Sequence, residues 1–258
     1  MKLNMDSIDL FPNDFLLAFI TPLPMIVLRS LPFSICDVNR SGYANRSTTG
    51  SRQNMRFAKS LFKDSREQHR FPYRFDGTFG WLSEQPSHRH NIATGYKRTL
   101  SRQWANILKE SGRNEIRIPQ AFADFITTSH LHSKIRSISD CYLSFARTFI
   151  PFGKGHLLRF LNDSQGCAFW YLYIDSNTDQ HCVVICYDYF DADDDDSQDL
   201  SIISPKHFVY DSPSFEAWLC RYWLENEIVF AHHDRTEMPR IPPRYIRAFT
   251  IDAYIEDT

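Results

Sequence analysis

The amino-acid sequence predicts an α+β fold: a central, mainly antiparallel β-sheet with N-terminal and C-terminal helices packed on one of its faces. Two observations support this prediction. Three short runs rich in aromatic and β-branched residues follow one another between residues 156 and 190, separated by turn-forming segments. Runs with helical apolar spacing flank them, at residues 100–139 and again from residue 215 onward.

The helices before the sheet follow from apolar spacing and from the residues that end or open a helix. The first apolar stripe consists of Leu100, Trp104, Ile107 and Leu108. Gly112 is expected to end this helix, and Pro119 stands where a second helix would begin.

Three strands are expected next, at His156–Leu161, Cys167–Asp175 and His181–Phe190. In the middle strand Trp170 points to one face of the sheet, whereas Tyr171 and Tyr173 point to the other. Since this second face is apolar apart from its tyrosine hydroxyls, we expect it to be half-covered. The segment "KHFVY" predicts a further edge strand.

A long helix should follow the edge strand. Its aromatic stripe consists of Phe215, Trp218, Leu219, Tyr222 and Trp223. Ser212 is a candidate N-cap for this helix, with Pro213 in its first turn. We expect the stripe to cover the sheet.

The predicted domain organisation has four parts. Residues 1–56 are a poorly ordered N-terminal extension, 57–99 a basic, aromatic lead-in of uncertain structure, 100–231 the α+β domain, and 232–258 a C-terminal tail. The apolar run at residues 15–28 is too short, and too interrupted by proline, to cross a bilayer. We therefore expect a cytoplasmic protein that does not bind membranes.

Charge is distributed unevenly along the chain. Residues 29–98 carry a net charge of +8, and residues 160–205 carry −10 with no Lys or Arg. This acidity favours a basic partner protein and disfavours nucleic acid. The candidate partner-binding residues are Asp191, Asp193, Asp194, Asp195 and Asp196, together with Tyr171 and Tyr173.

Catalytic, metal and cofactor signatures are missing from the sequence. The aspartate run fails as an EF-hand loop, because Asp196 and Ile202 stand where glycine and glutamate are needed. The histidine pairs, such as His130 and His132, are interpreted as surface residues. The six cysteines are expected to be buried thiols in a reducing compartment: Cys36, Cys141, Cys167, Cys182, Cys186 and Cys220. We expect no cofactor and no bound metal.

The order of these elements over about residues 100–231 resembles the SUKH superfamily, which includes bacterial toxin-immunity proteins and a fungal regulator of cell-wall synthesis. The residues that carry the resemblance are Ile118 and Pro119 at a helix start, Phe160, Asp163, Gly166 and Trp170 around a strand and turn, and the helix of Phe215, Trp218 and Trp223. The resemblance implies an α+β domain that lacks catalytic residues and binds a protein, often a toxin that it neutralises.

The sequence therefore predicts a non-enzymatic protein-interaction module, of the immunity type or a regulatory adaptor, with a basic toxin as one possible partner class. Two alternatives stay open. An enzyme of unknown class would pair His156 or His181 with Asp163, provided that these groups converge in a pocket. A structural subunit of a larger assembly is the other alternative, and the oligomeric state is not predicted.

Overall fold

A computed structural model describes residues 71–94, 97–178, 180–191, 203–237 and 239–240. The predicted N-terminal extension lies outside these residues, as do the first part of the lead-in, residues 57–70, and the tail from residue 241. Within the described ranges, no helix is both long and apolar enough to span a bilayer.

A six-stranded antiparallel sheet forms the centre of the described chain. Its strands are β1 (Tyr142–Leu143), β2 (Ile150–Phe152), β3 (Gly155–Asn162), β4 (Phe169–Asp175), β5 (His181–Cys186) and β6 (Phe208–Ser212). The spatial order is β1, β3, β4, β5, β6, and β2 pairs with β3 along the same edge as β1. The predicted sheet, with its edge strand after the acidic run, is confirmed.

Two details of the strands differ from the prediction. The strand β5 ends at Cys186 rather than at Phe190, because the chain then turns back over the sheet. The strands β1 and β2 were not predicted, since two or three residues are too few to show a period of two.

Five helices occur in the described residues: α1 (Gly80–Ser83), α2 (Lys97–Arg113), α3 (Gln120–Thr127), α4 (Ser129–His132) and α5 (Phe215–Asp234). Helix α3 begins directly after Pro119, as predicted. In α2 the expected stripe is wrong at Leu108, which is 49% exposed, whereas Trp104 and Ile107 are buried.

The N-cap of α5 also differs from the prediction. Ser214 is the N-cap, and its hydroxyl accepts a hydrogen bond from the backbone N–H of Ala217 at 3.2 Å. Ser212 is the last residue of β6 instead, and Pro213 precedes the cap.

Helix α5 lies against one face of the sheet. Trp218 is completely buried, and its ring meets Phe160 of β3 edge to face, at 4.8 Å between centroids. Phe215 meets Phe122 of α3 in the same geometry, also at 4.8 Å. Helices α3 and α5 thus share one core with the sheet, which confirms that helices from both sides of the strand region cover one face.

Residues 71–94 belong to the same core. Phe79 and Leu82 are almost fully buried, and Trp81 packs edge to face against Trp223 at 5.7 Å. Tyr73 stacks on Trp81 at 5.0 Å. This segment therefore covers the side of α5 that faces away from the sheet.

Polar side chains fix the position of α5 within this core. The amide oxygen of Asn226 accepts a hydrogen bond from the backbone N–H of Ile138 at 2.8 Å. Arg136 donates two hydrogen bonds to the carboxylate of Glu227, at 2.9 and 2.8 Å. Both contacts tie α5 to the chain just before β1, which sets the helix in one register.

The pairing of β3 with β4 can be tested by a substitution at Gly155. An alanine Cβ at this position would overlap with the backbone carbonyl of Ile174. We expect Gly155→Ala to lower the free energy of unfolding by about 2 kcal/mol or more, because the clash is with backbone that cannot rotate away.

The matched control is Gly112→Ala in α2, where an added Cβ would meet nothing within 4 Å. It should raise stability by up to about 1 kcal/mol, since alanine favours the helix. Urea denaturation measures both variants. Wild-type stability of Gly155→Ala would contradict the β3–β4 register.

Candidate functional site

The face of the sheet opposite to the helices carries a small second core. Its buried residues, called the second cluster below, are Ile150, Leu157, Phe169, Tyr171, Cys186 and Phe190. The chain between β5 and β6 supplies its cover, because Phe190 and Phe208 lie across Tyr171. Among the described residues, this face is therefore covered by the two ends of the segment that connects β5 to β6.

Tyr171 lies inside the second cluster. It has no exposed surface, and its hydroxyl donates to the carbonyl of Phe190 at 3.2 Å and accepts from the N–H of the same residue at 2.9 Å. Burial raises the pKa of Tyr171 above its usual range. The expectation that Tyr171 offers a surface to a partner does not match this position.

Tyr173, two residues further along β4, lies at the protein surface. Its ring is half-buried, and it packs edge to face with Phe152 at 6.3 Å. Burial raises the pKa of Tyr173 as well, with the nearby charge of Asp175 acting in the same direction. Of the two predicted tyrosines, only Tyr173 is accessible in part.

Asp191 forms a buried ion pair with Arg159. Its Oδ2 accepts a hydrogen bond from Arg159 Nη2 at 2.9 Å and a second from the hydroxyl of Tyr189 at 3.2 Å. Only 7% of Asp191 and 2% of Arg159 are exposed. Asp191 therefore anchors the chain and does not present its charge to a partner, contrary to the expectation from the sequence.

The guanidinium of Arg159 has four neighbours that hold it on the second face. It donates to Asn162 Oδ1 at 2.6 Å, to the hydroxyl of Tyr189 at 2.9 Å and to the carbonyl of Ser144 at 3.4 Å, besides its bond to Asp191. Its central carbon lies 4.5 Å from the centre of the Tyr189 ring. Arg159 was not predicted as a site residue, although a charged residue inside the apolar strand "LLRFL" is a signal for a buried polar contact.

The other predicted partner-binding aspartates lie outside the described residues. These are Asp193, Asp194, Asp195 and Asp196. The described chain resumes at Ile203, which packs against the second cluster. Ser204 then caps the short turn Pro205–His207 that leads into β6. The residues on both sides of the acidic run are thus fixed to the same face of the sheet.

The turn between β3 and β4 is built around Asp163. Its carboxylate accepts hydrogen bonds from the N–H groups of Gln165 and Cys167 at 3.2 and 3.1 Å, and Gly166 has a φ of 71°. Burial raises the pKa of the Asp163 carboxyl. The arrangement is that of a hairpin turn, as the residue types suggested.

The histidines of the alternative enzyme hypothesis lie at the other end of the sheet. His156 and His181 both pair with Ile174, and His156 stands about 23 Å along β3 from Asp163. His156 Nδ1 contacts the hydroxyl of Ser176 at 3.2 Å, while His181 Nε2 accepts from the N–H of Phe215 at 3.3 Å. The proposed His/Asp pairs are therefore not formed.

The remaining residues of the SUKH-like pattern occupy structural positions. Ile118 packs against the main core beside the start of α3. Trp170 is buried, and its indole N–H donates to Asp211 at 3.1 Å. Among the histidines expected at the surface, His132 is buried instead, with its Nε2 2.8 Å from the carbonyl of Phe125.

Four cysteines are free and buried: Cys141, Cys182, Cys186 and Cys220. The expectation of buried thiols is wrong for Cys167, which is half-buried and disulfide-bonded, and Cys36 lies outside the described residues. Within the described ranges, no group of three or more His, Cys, Asp or Glu is placed to hold a metal ion.

Comparison of the chain with protein-family models, with curated proteins and with solved structures found no match.

The buried ion pair can be tested by a double-mutant cycle. We expect Arg159→Met to lower the free energy of unfolding by about 3 kcal/mol, because it leaves the Asp191 carboxylate buried without its partner. Combining it with Asp191→Leu should restore a large part of the loss. Exposed Arg89 is the control, and Arg89→Met should change stability by less than about 0.5 kcal/mol. Strictly additive effects of Arg159→Met and Asp191→Leu would show that the two side chains do not interact.

The buried thiols give a second prediction. Burial raises the pKa to about 11 for Cys141 and to about 12 for Cys182 and Cys186. Because only the thiolate reacts, these cysteines should resist alkylation by iodoacetamide at pH 8 in the folded protein and react after unfolding in urea. Peptide mass spectrometry measures the modification at each site. Rapid alkylation of Cys182 before unfolding would contradict its place in the core.

Proposed function

We propose that this protein is a non-enzymatic interaction module that binds a basic partner protein through its acidic segment, residues 192–202. The observation that supports the proposal best is the attachment of the chain on both sides of that segment to one face of the sheet. Because Asp191 and Ile203 are both held on this face, the two ends of the segment are constrained, which lowers the entropic cost of binding.

The first attachment is the ion pair between Arg159 and Asp191. Since both groups are almost fully buried and Arg159 makes three further hydrogen bonds, this point is rigid. The second attachment is apolar, through Ile203 against the second cluster and Phe208 against Tyr171 at 5.4 Å. An ion pair thus holds the chain before the acidic segment, and apolar packing holds the chain after it.

The charge of the segment favours a basic partner. Residues 192–202 include five aspartates and no Lys, Arg or His. Arg159 compensates the charge of Asp191, so these five residues account for the acidity that the segment would present. Such a cluster of negative charge accelerates association with a positively charged protein, and the acceleration weakens as salt is added.

Tyr173 would extend the contact surface on the same face. It is half-exposed and has an apolar ring with a polar tip, a combination that is common in protein interfaces. The resemblance to SUKH proteins supports a finer proposal, in which the module is an immunity-type protein or a regulatory adaptor in the cytoplasm and its partner is a basic toxin.

The test removes the charge of the segment. Proteins captured from the native cell by the wild-type chain would first be identified, and the binding kinetics of the purified partner would then be measured at several salt concentrations. Replacing Asp193–Asp196 with serine should slow association at low salt by about tenfold and flatten its salt dependence.

A control variant removes four acidic groups elsewhere on the exposed surface and should have a much smaller effect. The replaced residues are Glu84, Glu115, Asp140 and Glu237. Equal rates and equal salt slopes for the wild type and the Asp193–Asp196 variant would refute the electrostatic basis of the proposal.

A further inference from the structure

A basic groove lies between helix α2 and the segment that joins β1 to β2. Its volume is about 640 Å³, and three cationic side chains line it: Arg102 and Lys109 from α2, and Arg147 from the joining segment. Among the described residues that line the groove, Glu110 is the one with an acidic side chain. The groove is thus opposite in sign to the acidic segment considered above.

Ion pairs with these three cations are missing among the described residues. Within the part of the chain that the structure describes, Arg102, Lys109 and Arg147 form no ion pair, and they make no side-chain hydrogen bond. Glu110 forms an ion pair with Arg113 at 2.6 Å, which offsets part of its negative charge. Like charges gathered on one concave surface repel each other, and a bound anion would relieve that repulsion.

The walls of the groove are fixed to each other. The side-chain amide of Gln103 donates to Ser144 Oγ and to the carbonyl of Phe145, both at 3.4 Å, and its oxygen accepts from the N–H of Phe145 at 3.3 Å. The rings of Trp104 and Phe145 pack at 5.7 Å just below. Arg147, two residues further on, therefore projects from a segment that is tied to α2.

The lining indicates the chemical class of the ligand. Arg102, Asn106 and Lys109 follow one another at helical spacing, so that the backbone positions of the two cations are about 10 Å apart along α2, a span that linked phosphate groups can bridge. The planar guanidinium groups match the geometry of phosphate and sulfate oxygens. None of the described residues that line the groove is aromatic, so that these residues offer no platform for stacking a base.

We propose that this groove binds a small, multiply charged oxyanion of the oligophosphate or oligosulfate type. Its volume falls in the range of small-ligand sites. The proposal does not depend on the function proposed above.

Titration calorimetry of the full chain with inorganic tripolyphosphate tests the proposal. Tripolyphosphate should bind at least about tenfold more tightly than orthophosphate, because it can contact both Arg102 and Lys109, and added salt should weaken it. ATP should bind no more tightly than tripolyphosphate. Arg102→Gln and Arg147→Gln should each weaken binding by about tenfold, the effect of losing one charge-assisted hydrogen bond.

Two kinds of variant distinguish a change in binding from a loss of the folded structure. Glu110→Gln should tighten binding by a few fold, a gain that misfolding cannot produce. Arg89→Gln and Lys206→Gln remove exposed cations outside the groove and should leave the affinity unchanged. The absence of tripolyphosphate binding would overturn the proposal, as would wild-type affinity in the Arg102→Gln/Arg147→Gln double variant. Tighter binding of hexaglutamate or of ATP than of tripolyphosphate would overturn the ligand class.

Discussion

The burial of helix α5 on both of its sides is the constraint on which the rest of the structure depends. Its inner side carries Trp218, which fills the space above β3, while its outer side carries Trp223, which is 4% exposed. A helix that is apolar on both sides needs two covers. The sheet provides one, and residues 71–94 provide the other through Tyr73 and Trp81. The described part of the basic, aromatic lead-in, residues 71–94, therefore has a structural role in the domain.

The segment between β1 and β2 connects the two surfaces that we consider functional. On one side, the carbonyl of Ser144 accepts a hydrogen bond from Arg159, the residue that anchors Asp191. On the other side, Gln103 of α2 holds Ser144 and Phe145 at the rim of the basic groove. The anchor of Asp191 and one wall of the basic groove thus share one short piece of backbone.

The sequence allowed the sheet and the long helix to be predicted because their patterns are local. Strands β3 to β5 and the stripe around Trp218 each show a period within a few residues. The role of residues 71–94 could not be predicted, since it arises from contacts with α5 more than a hundred residues away. At the candidate site, the alternation of side chains along β4 placed Tyr171 on the correct face of the sheet. No pattern in the neighbouring sequence indicated that Phe190 would fold back over it. The ion pair of Asp191 was missed for the same reason.

Two short strands, β1 and β2, together form one edge of the sheet. This arrangement affects how copies of the protein meet in a concentrated solution. These strands have two and three residues, and β6 at the opposite border has five before the chain turns into α5. Long rows of open peptide groups invite strand addition from neighbouring molecules and the growth of fibrils. Among the strands described here, none offers such a row, so that this architecture guards against self-association through its backbone and leaves recognition to side chains.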